Sequence, residues 1–200
     1  MNVSEQIAAW LNKKNVDHAF MVTGGGAMFL NQAFGTNKNY KNTFFHHEQA
    51  CAMAAEGYFR VSEKPAVVIP TTGPGGINAL NGIFGAYTDS IPIIVISGQV
   101  KTETCMASYP KLEVRQLGDQ EVDIISMVKG ITKYAKIIRS AKDLEKELPK
   151  AYYLAITGRP GPVWLDIPIN IQSEKIKLNF KNPSTEKLFN KKFAKKQIKE

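Results

Sequence analysis

Twice in its first hundred residues the chain runs through a short, continuously apolar stretch and turns through glycines straight into a helical pattern. The first passage is AFMVTGGGAMF (residues 19–29) and the second is AVVIPTTGPGGINAL (66–80). An apolar run without alternation is a strand covered on both faces, which is the condition of a parallel sheet. A glycine turn at the strand's carboxyl end, leading into a helix, is the first half of a crossover unit. Two units of the same construction constrain the fold class strongly: α/β, with parallel strands.

The rest of the chain fits that frame. Ser4 is the expected cap of a first helix that runs to about Lys14, with Ile7, Ala8, Trp10 and Leu11 on one side. A strand is expected over 16–23, a helix from the glycine turn to Gly35, and a short strand over 42–45 after a polar loop. Helices at 48–62 and 75–88 then alternate with strands at 66–70 and 92–97. A long polar connection, KTETCMASYPKLEVRQLGDQ, follows Val100, and loops of that length are usually functional. A helix over 119–128, a strand over 133–138, an amphipathic helix over 141–157 and a last strand over 162–167 complete the pattern. The expectation is a single three-layer domain over residues 1–172, with a roughly six-stranded parallel sheet flanked by helices. Residues 173–200 read as a lysine-rich linker or tail.

Composition removes several function classes. The net charge of +8 suggests a polyanion binder, yet residues 174–200 hold nine lysines against three glutamates and account for +6 of it. The other 173 residues carry only +2, so nucleic acid is not an expected partner. No apolar run approaches the roughly 20 residues of a membrane span. The N-terminus lacks the basic and apolar blocks of a secretory signal. Cys51 and Cys105 have no metal-ligand spacing, and free thiols indicate a reducing cytoplasm.

In such sheets ligands bind beyond the carboxyl ends of the strands. Residues 23–27, 46–48, 71–78 and 97–100 all fall there. A dinucleotide site is disfavoured, because Gly24-x-Gly26-x-x-Phe29 lacks the third glycine. A metal site on His46 and His47 is disfavoured as well, since neighbours on an extended segment point to opposite faces. His47 reads as a satisfied polar residue beside the site. Glu56 and Arg60 read as an intrahelical ion pair, Asp89 as a turn or cap residue, and Phe84 and Tyr87 as core. Glu48 differs from these. It opens a helix made of small residues (Ala50, Cys51, Ala52, Ala54, Ala55, Gly57), where the helix N-terminus favours its charged form and apolar burial its neutral form. A carboxyl under those opposed pulls is suited to sharing a proton with a heterocyclic nitrogen. A helix-capping glutamate is the plainer alternative.

The stretches HHEQACAMAAEGYFR, TTGPGGINALNGIFGAYTDSIPIIVISGQV and GRPGPVWLDIP, in this order, resemble the N-terminal, pyrimidine-binding domain of thiamine diphosphate enzymes. The similarity runs from Ser4 to about Gln172 and is nearest to the acetolactate synthase and pyruvate oxidase group. It implies the thiamine diphosphate-binding fold, and it gives residues roles by position. The glutamate matching Glu48 hydrogen-bonds N1′ of the cofactor's aminopyrimidine and promotes the imino tautomer, whose 4′-nitrogen takes the proton from thiazolium C2. Gly25 and Gly26 match glycines near the reacting carbon. Thr72, Pro74 and Asn78 match the pyrimidine pocket, and Gln120 matches a glutamine on the substrate side. The implied substrates are 2-oxo acids such as pyruvate, which lose carbon dioxide before a carboligation, with flavin as an optional addition.

The chain departs from that group at two points. Asp119 stands where acetolactate synthases usually have phenylalanine, which leaves the acceptor substrate open. The GDG motif that holds magnesium and diphosphate does not occur; Gly118-Asp119-Gln120 is the nearest string, in another context. The resemblance therefore implies that Mg2+ and the diphosphate are held by a separate domain or subunit, with this chain assigned no metal ligand. It also implies a homodimer or higher oligomer, with helix 48–60 as an interface element. Two further readings remain beside it: the pyrimidine-binding subunit of a two-chain decarboxylase, and a non-catalytic dimerisation module. An N-terminal part of a longer polypeptide is the preferred form, since residues 174–200 lead away from the fold.

Overall fold

The computed structural model describes residues 1–183; the rest of the lysine-rich stretch, 184–200, lies outside the described residues. Strands and helices alternate: α1 (Val3–Asn12), β1 (His18–Met21), α2 (Met28–Gly35), β2 (Lys41–Phe44), α3 (Glu48–Ser62), β3 (Ala66–Ile69), α4 (Pro74–Thr88), β4 (Ile93–Gln99), α5 (Ile124–Val128), β5 (Tyr134–Ile137), α6 (Leu144–Ile156), β6 (Val163–Pro168) and α7 (Ile169–Ser173). All six strands are parallel, in the spatial order β2-β1-β3-β4-β6-β5.

Side-chain alternation along the strands divides the interior in two. Val67, Ile69, Ile94, Ile96, Val163 and Leu165 point to the side covered by α1, α2, α6 and α7. Ala66, Val68, Ile93, Val95 and Trp164 point to the side covered by α3, α4 and α5. Every residue of β3 and β4 is buried, as expected for strands with no polar alternation. The result is the expected three-layer α/β domain.

The strand order carries a functional consequence. From β1 the chain moves outward to β2, whereas from β3 it moves the other way to β4. The turns after β1 and β3 therefore diverge and leave a crevice between adjacent strand ends, the position where open α/β sheets bind ligands. Both glycine turns lie at that point.

Several local expectations are corrected. Asn2, not Ser4, caps α1: its side chain accepts from Glu5 N at 2.9 Å while the Glu5 carboxylate accepts from Asn2 N at 2.7 Å. The reciprocal box needs glutamate three residues after the cap, which Asn2 has. Ser4 is buried instead, and its hydroxyl donates to Gln172 O. The helix expected from Asp119 starts only at Ile124, where the Asp123 side chain accepts from Ser126 N. Gln120 has φ of +55°, which a right-handed helix excludes. Phe84 and Tyr87 are not core: they are 57% and 41% exposed on the outer side of α4, since Gly82, Ile83 and Ala86 take its inward face. The last described stretch is tied down, with Ile176 O accepting from Gln6 Nε2, Leu178 N donating to Gln6 Oε1, and Phe180 packed on Trp10.

Candidate functional site

Glu48 is the first residue of α3, with His47 at the cap accepting from Gln49 N through Nδ1 at 3.2 Å. His47 is thus occupied by backbone, as expected of a polar neighbour. The Glu48 side chain turns inward and is 6% exposed. Its Oε2 accepts a 3.0 Å hydrogen bond from Asn78 Nδ2, on the second turn of α4. Its Oε1 lies beside Gly75, 3.1 Å from where a Cβ would stand, and accepts no hydrogen bond from the described residues. One carboxylate oxygen is therefore held in place and the other is left for a partner.

α3 and α4 meet along a parallel seam that sets this geometry. Asn78 meets Glu48, Gly82 meets Ala52, Gly85 meets Glu56, and Asp89 meets Arg60. Small residues on α3 therefore serve first to bring α4 close. The Glu56–Arg60 pair is present, at 2.6 Å, and Asp89 joins it from the end of α4. Pro74 is at the first position of α4, where its missing N–H is no loss.

The turn after β1 is pressed against the turn after β3. Gly26 N donates to Thr71 Oγ1 at 3.1 Å, and a Cβ on Gly24 or Gly26 would collide with Thr71 or Thr72. Gly25 has nothing within 4 Å of its Cβ direction and faces a cavity of about 760 Å3. Gly26, Thr71, Thr72, Gln99, Lys101, Asp119 and Gln120 also line this cavity. Gln120 is brought there from far along the chain: its carbonyl lies where a Cβ on Gly73 would be, and Gly73 has φ of +60°.

The named residues thus fall in two groups. Glu48, Asn78 and Pro74 stand at the start of α3 and α4. Gly25, Gly26, Thr72 and Gln120 line the cavity, and Glu48 does not. Thr71 joins them, because it meets Gly24 and Gly26 on one side and Gly75, the glycine that also faces Glu48, on the other. Thr71 went unassigned in the sequence, though it lies within the TTGPGG turn. Asp166 was missed too. It is 1% exposed, and its carboxylate accepts from Ser97 Oγ at 2.6 Å and Gln99 Nε2 at 2.9 Å. Burial pushes this carboxyl up to about 7 against those two bonds, with Asp123 and Glu121 adding to the rise. An acid inside the apolar strand VWLDIP was the available signal.

Both thiols are buried, and burial is the first cause that pushes each of them up to about 12. They are therefore not activated nucleophiles. Among the described residues no three His, Cys, Asp or Glu are grouped as metal ligands, and no helix is long and apolar enough to cross a membrane. The residues present suit the aminopyrimidine end of thiamine diphosphate: a shielded carboxylate with one oxygen that accepts no hydrogen bond from the described residues.

The family described as "Thiamine pyrophosphate enzyme, N-terminal TPP binding domain" matches residues 1–127. The acetolactate synthase large subunit of Haemophilus influenzae is 35% identical over 180 residues, 90% of this chain and 29% of that protein. The chloroplastic acetolactate synthase of Arabidopsis thaliana is 35% identical over 164 residues, 82% of this chain and 23% of that protein. The chain thus spans less than a third of the length of these relatives. A solved structure from Mycobacterium smegmatis, assigned as a thiamin diphosphate-dependent enzyme, superposes with a TM-score of 0.78 at 23% identity, covering 92% of this chain and 34% of that one, which supports the fold. With residues 1–127 matched, the chain belongs to the thiamine pyrophosphate enzyme family and corresponds to its N-terminal, cofactor-binding domain.

Proposed function

We propose that this chain is the pyrimidine-binding domain of a cytoplasmic, acetolactate synthase-like enzyme acting on 2-oxo acids. When bound, thiamine diphosphate supplies a thiazolium carbon that adds to the carbonyl of the 2-oxo acid and accepts the electrons left by carbon dioxide. The chain's own residues have narrower tasks. Glu48 holds or yields a proton at N1′ of the aminopyrimidine through its unengaged Oε1. Asn78 fixes the other oxygen, so the carboxylate meets the ring in one orientation. Gly25 leaves space for the reacting atoms and Gly26 lets the turn close on Thr72, Thr72 and Pro74 form the wall of the pyrimidine pocket, and Gln120 faces the 2-oxo acid. Magnesium and the diphosphate are held by another domain or subunit.

A second copy or its diphosphate-binding domain covers the outer faces of α3 and α4. Met53 (47% exposed), Ile77 (40%) and Phe84 (57%) lie there, an apolar surface that a site shared between chains would bury. The observation that carries the reading is Glu48 itself: a shielded carboxylate at a helix start, held by one amide and open on one side.

The test is Glu48→Gln in the full-length protein with its diphosphate-binding part. Deuterium exchange at the thiazolium C2 should slow by about a hundredfold or more, as for loss of a general acid–base group, while cofactor affinity changes little. Unchanged exchange and turnover would remove Glu48 from the mechanism. A protein that dimerises but binds no cofactor would instead be a non-catalytic module, and cofactor binding only with a separately encoded chain would indicate a two-chain decarboxylase.

A further inference from the structure

Gln99 borders two cavities: the 760 Å3 one with Gln120, and a second of about 520 Å3 that Asp166, Glu121 and Val122 also line. It ends β4, beside β6, in a register that pairs Ser97 with Asp166 and Gln99 with Pro168. Both ends of its amide are used. Oε1 accepts from Val100 N at 2.9 Å, and Nε2 donates to Asp166 Oδ2 at 2.9 Å and to Val122 O at 3.3 Å. The other Asp166 oxygen accepts from Ser97 Oγ, which in turn accepts from Trp164 Nε1 at 2.7 Å. Asp166 Oδ2 accepts from Nε2 while Val100 N holds Oε1, so the Gln99 amide presents its donor end to Asp166. That orientation aims the second N–H proton at Val122, two residues beyond Gln120. From the other side Glu121 accepts from Met106 N at 2.5 Å and Gly118 N at 3.1 Å. Gln120 is the residue between these anchors, in a left-handed conformation that local sequence does not favour.

We propose that Asp166, acting through Gln99, is a positioning residue that holds Gln120 at the rim of the larger cavity, without itself touching substrate or cofactor. The inference rests on the reading of Gln120 as a substrate-facing group. Asp166 is fixed within the sheet, so the segment 118–122 is tied through Gln99 to the rigid core as well as to its own loop through Glu121. Deleting the Gln99 amide should free that segment while leaving the sheet intact, because every other bond to Gln99 is backbone.

The test compares Gln99→Met, Asp166→Leu and Ser97→Ala in the full-length enzyme by hydrogen exchange and by kinetics. In Gln99→Met, amides in 117–124 should exchange at least about tenfold faster while those of α6 are unchanged; Asp166→Leu, which removes the acceptor from Gln99 Nε2, should do the same. Ser97→Ala should leave 117–124 as it was. The 2-oxo acid kcat/KM should fall in Gln99→Met by about as much as in Gln120→Ala, with no further loss in the double variant and an unchanged affinity for thiamine diphosphate. Unaltered exchange in both Gln99→Met and Asp166→Leu overturns the proposal, as do losses that add to those of Gln120→Ala. If Gln120→Ala alone leaves turnover unchanged, the substrate-facing role fails, and the exchange result by itself upholds or overturns the anchoring.

Discussion

Gly82 lies so close to Ala52 that a methyl group on the glycine would stand 2.6 Å from the alanine Cβ. This contact is one step of the seam that also joins Asn78 to Glu48, so the spacing of two helices decides whether the amide reaches the carboxylate. Gly82→Ala should therefore do two things. Overpacking of this kind costs about 1–3 kcal/mol, to be read as a lowered denaturation midpoint. The helices should also move apart, with cofactor affinity falling more than stability alone would cause. A variant as stable as the parent, with unchanged affinity, would show that the seam does not set the Glu48 geometry.

Gly73 and Gly25 make a pair of opposite cases. At Gly73 a side chain would require a left-handed residue and would meet the Gln120 carbonyl at 2.1 Å. Gly73→Ala should cost roughly 1–3 kcal/mol from backbone strain alone and displace Gln120. At Gly25 nothing lies within 4 Å, so Gly25→Ala should keep stability within about 0.5 kcal/mol. Its methyl group would enter the cavity, and turnover should fall. Loss of fold in Gly25→Ala, or full activity in Gly73→Ala, would reverse the assignment of these two glycines.

The sheet was legible because its evidence is redundant: unbroken apolar runs such as Ala66–Ile69, glycine turns and alternating helices all state the same thing. Of the candidate site, the burial of Glu48 at a helix start was legible, because one segment holds both residue and cause. The bond from Asn78 depends on how α3 and α4 pack, which no local pattern records. The same holds for Gln120, whose carbonyl meets Gly73 at the start of α4 and whose neighbour Val122 bonds Gln99 at the end of β4. Phe84 and Tyr87 misled for a different reason. Aromatic residues on an amphipathic helix suggest core, but α4 buries its small residues against α3 and the sheet, leaving the large ones outside.

That outer surface can be tested directly. If a second chain covers α3 and α4, Phe84→Glu places a charge in an apolar interface, and sedimentation at micromolar concentration should show the dimer replaced by monomer. Because Phe84 is 57% exposed within the domain, the fold itself should change by less than about 0.5 kcal/mol. Turnover should drop with the dimer if the site is shared. A dimer that persists in Phe84→Glu would place the interface elsewhere.

Two aspartates should give the folded protein opposite responses to pH. Burial raises the Asp17 carboxyl, but hydrogen bonds from His18, Tyr58 and Lys64 outweigh it and hold the group well below the usual carboxylate range. The unfolded chain then binds more protons at Asp17 below about pH 4, so stability rises with pH in that window and is lost as acid protonates the folded carboxylate. Asp166 has the other sign. With its carboxyl pushed up to about 7, first by burial, the folded state holds a proton that the unfolded state has released. Its contribution is fully present below about pH 4 and is lost as pH rises to 7. Thermal unfolding from pH 2 to pH 8 should accordingly show a rise and then a decline. Asp17→Asn should flatten the acid limb and Asp166→Asn the neutral limb, each without altering the other. A neutral limb that survives Asp166→Asn would mean that another group carries it.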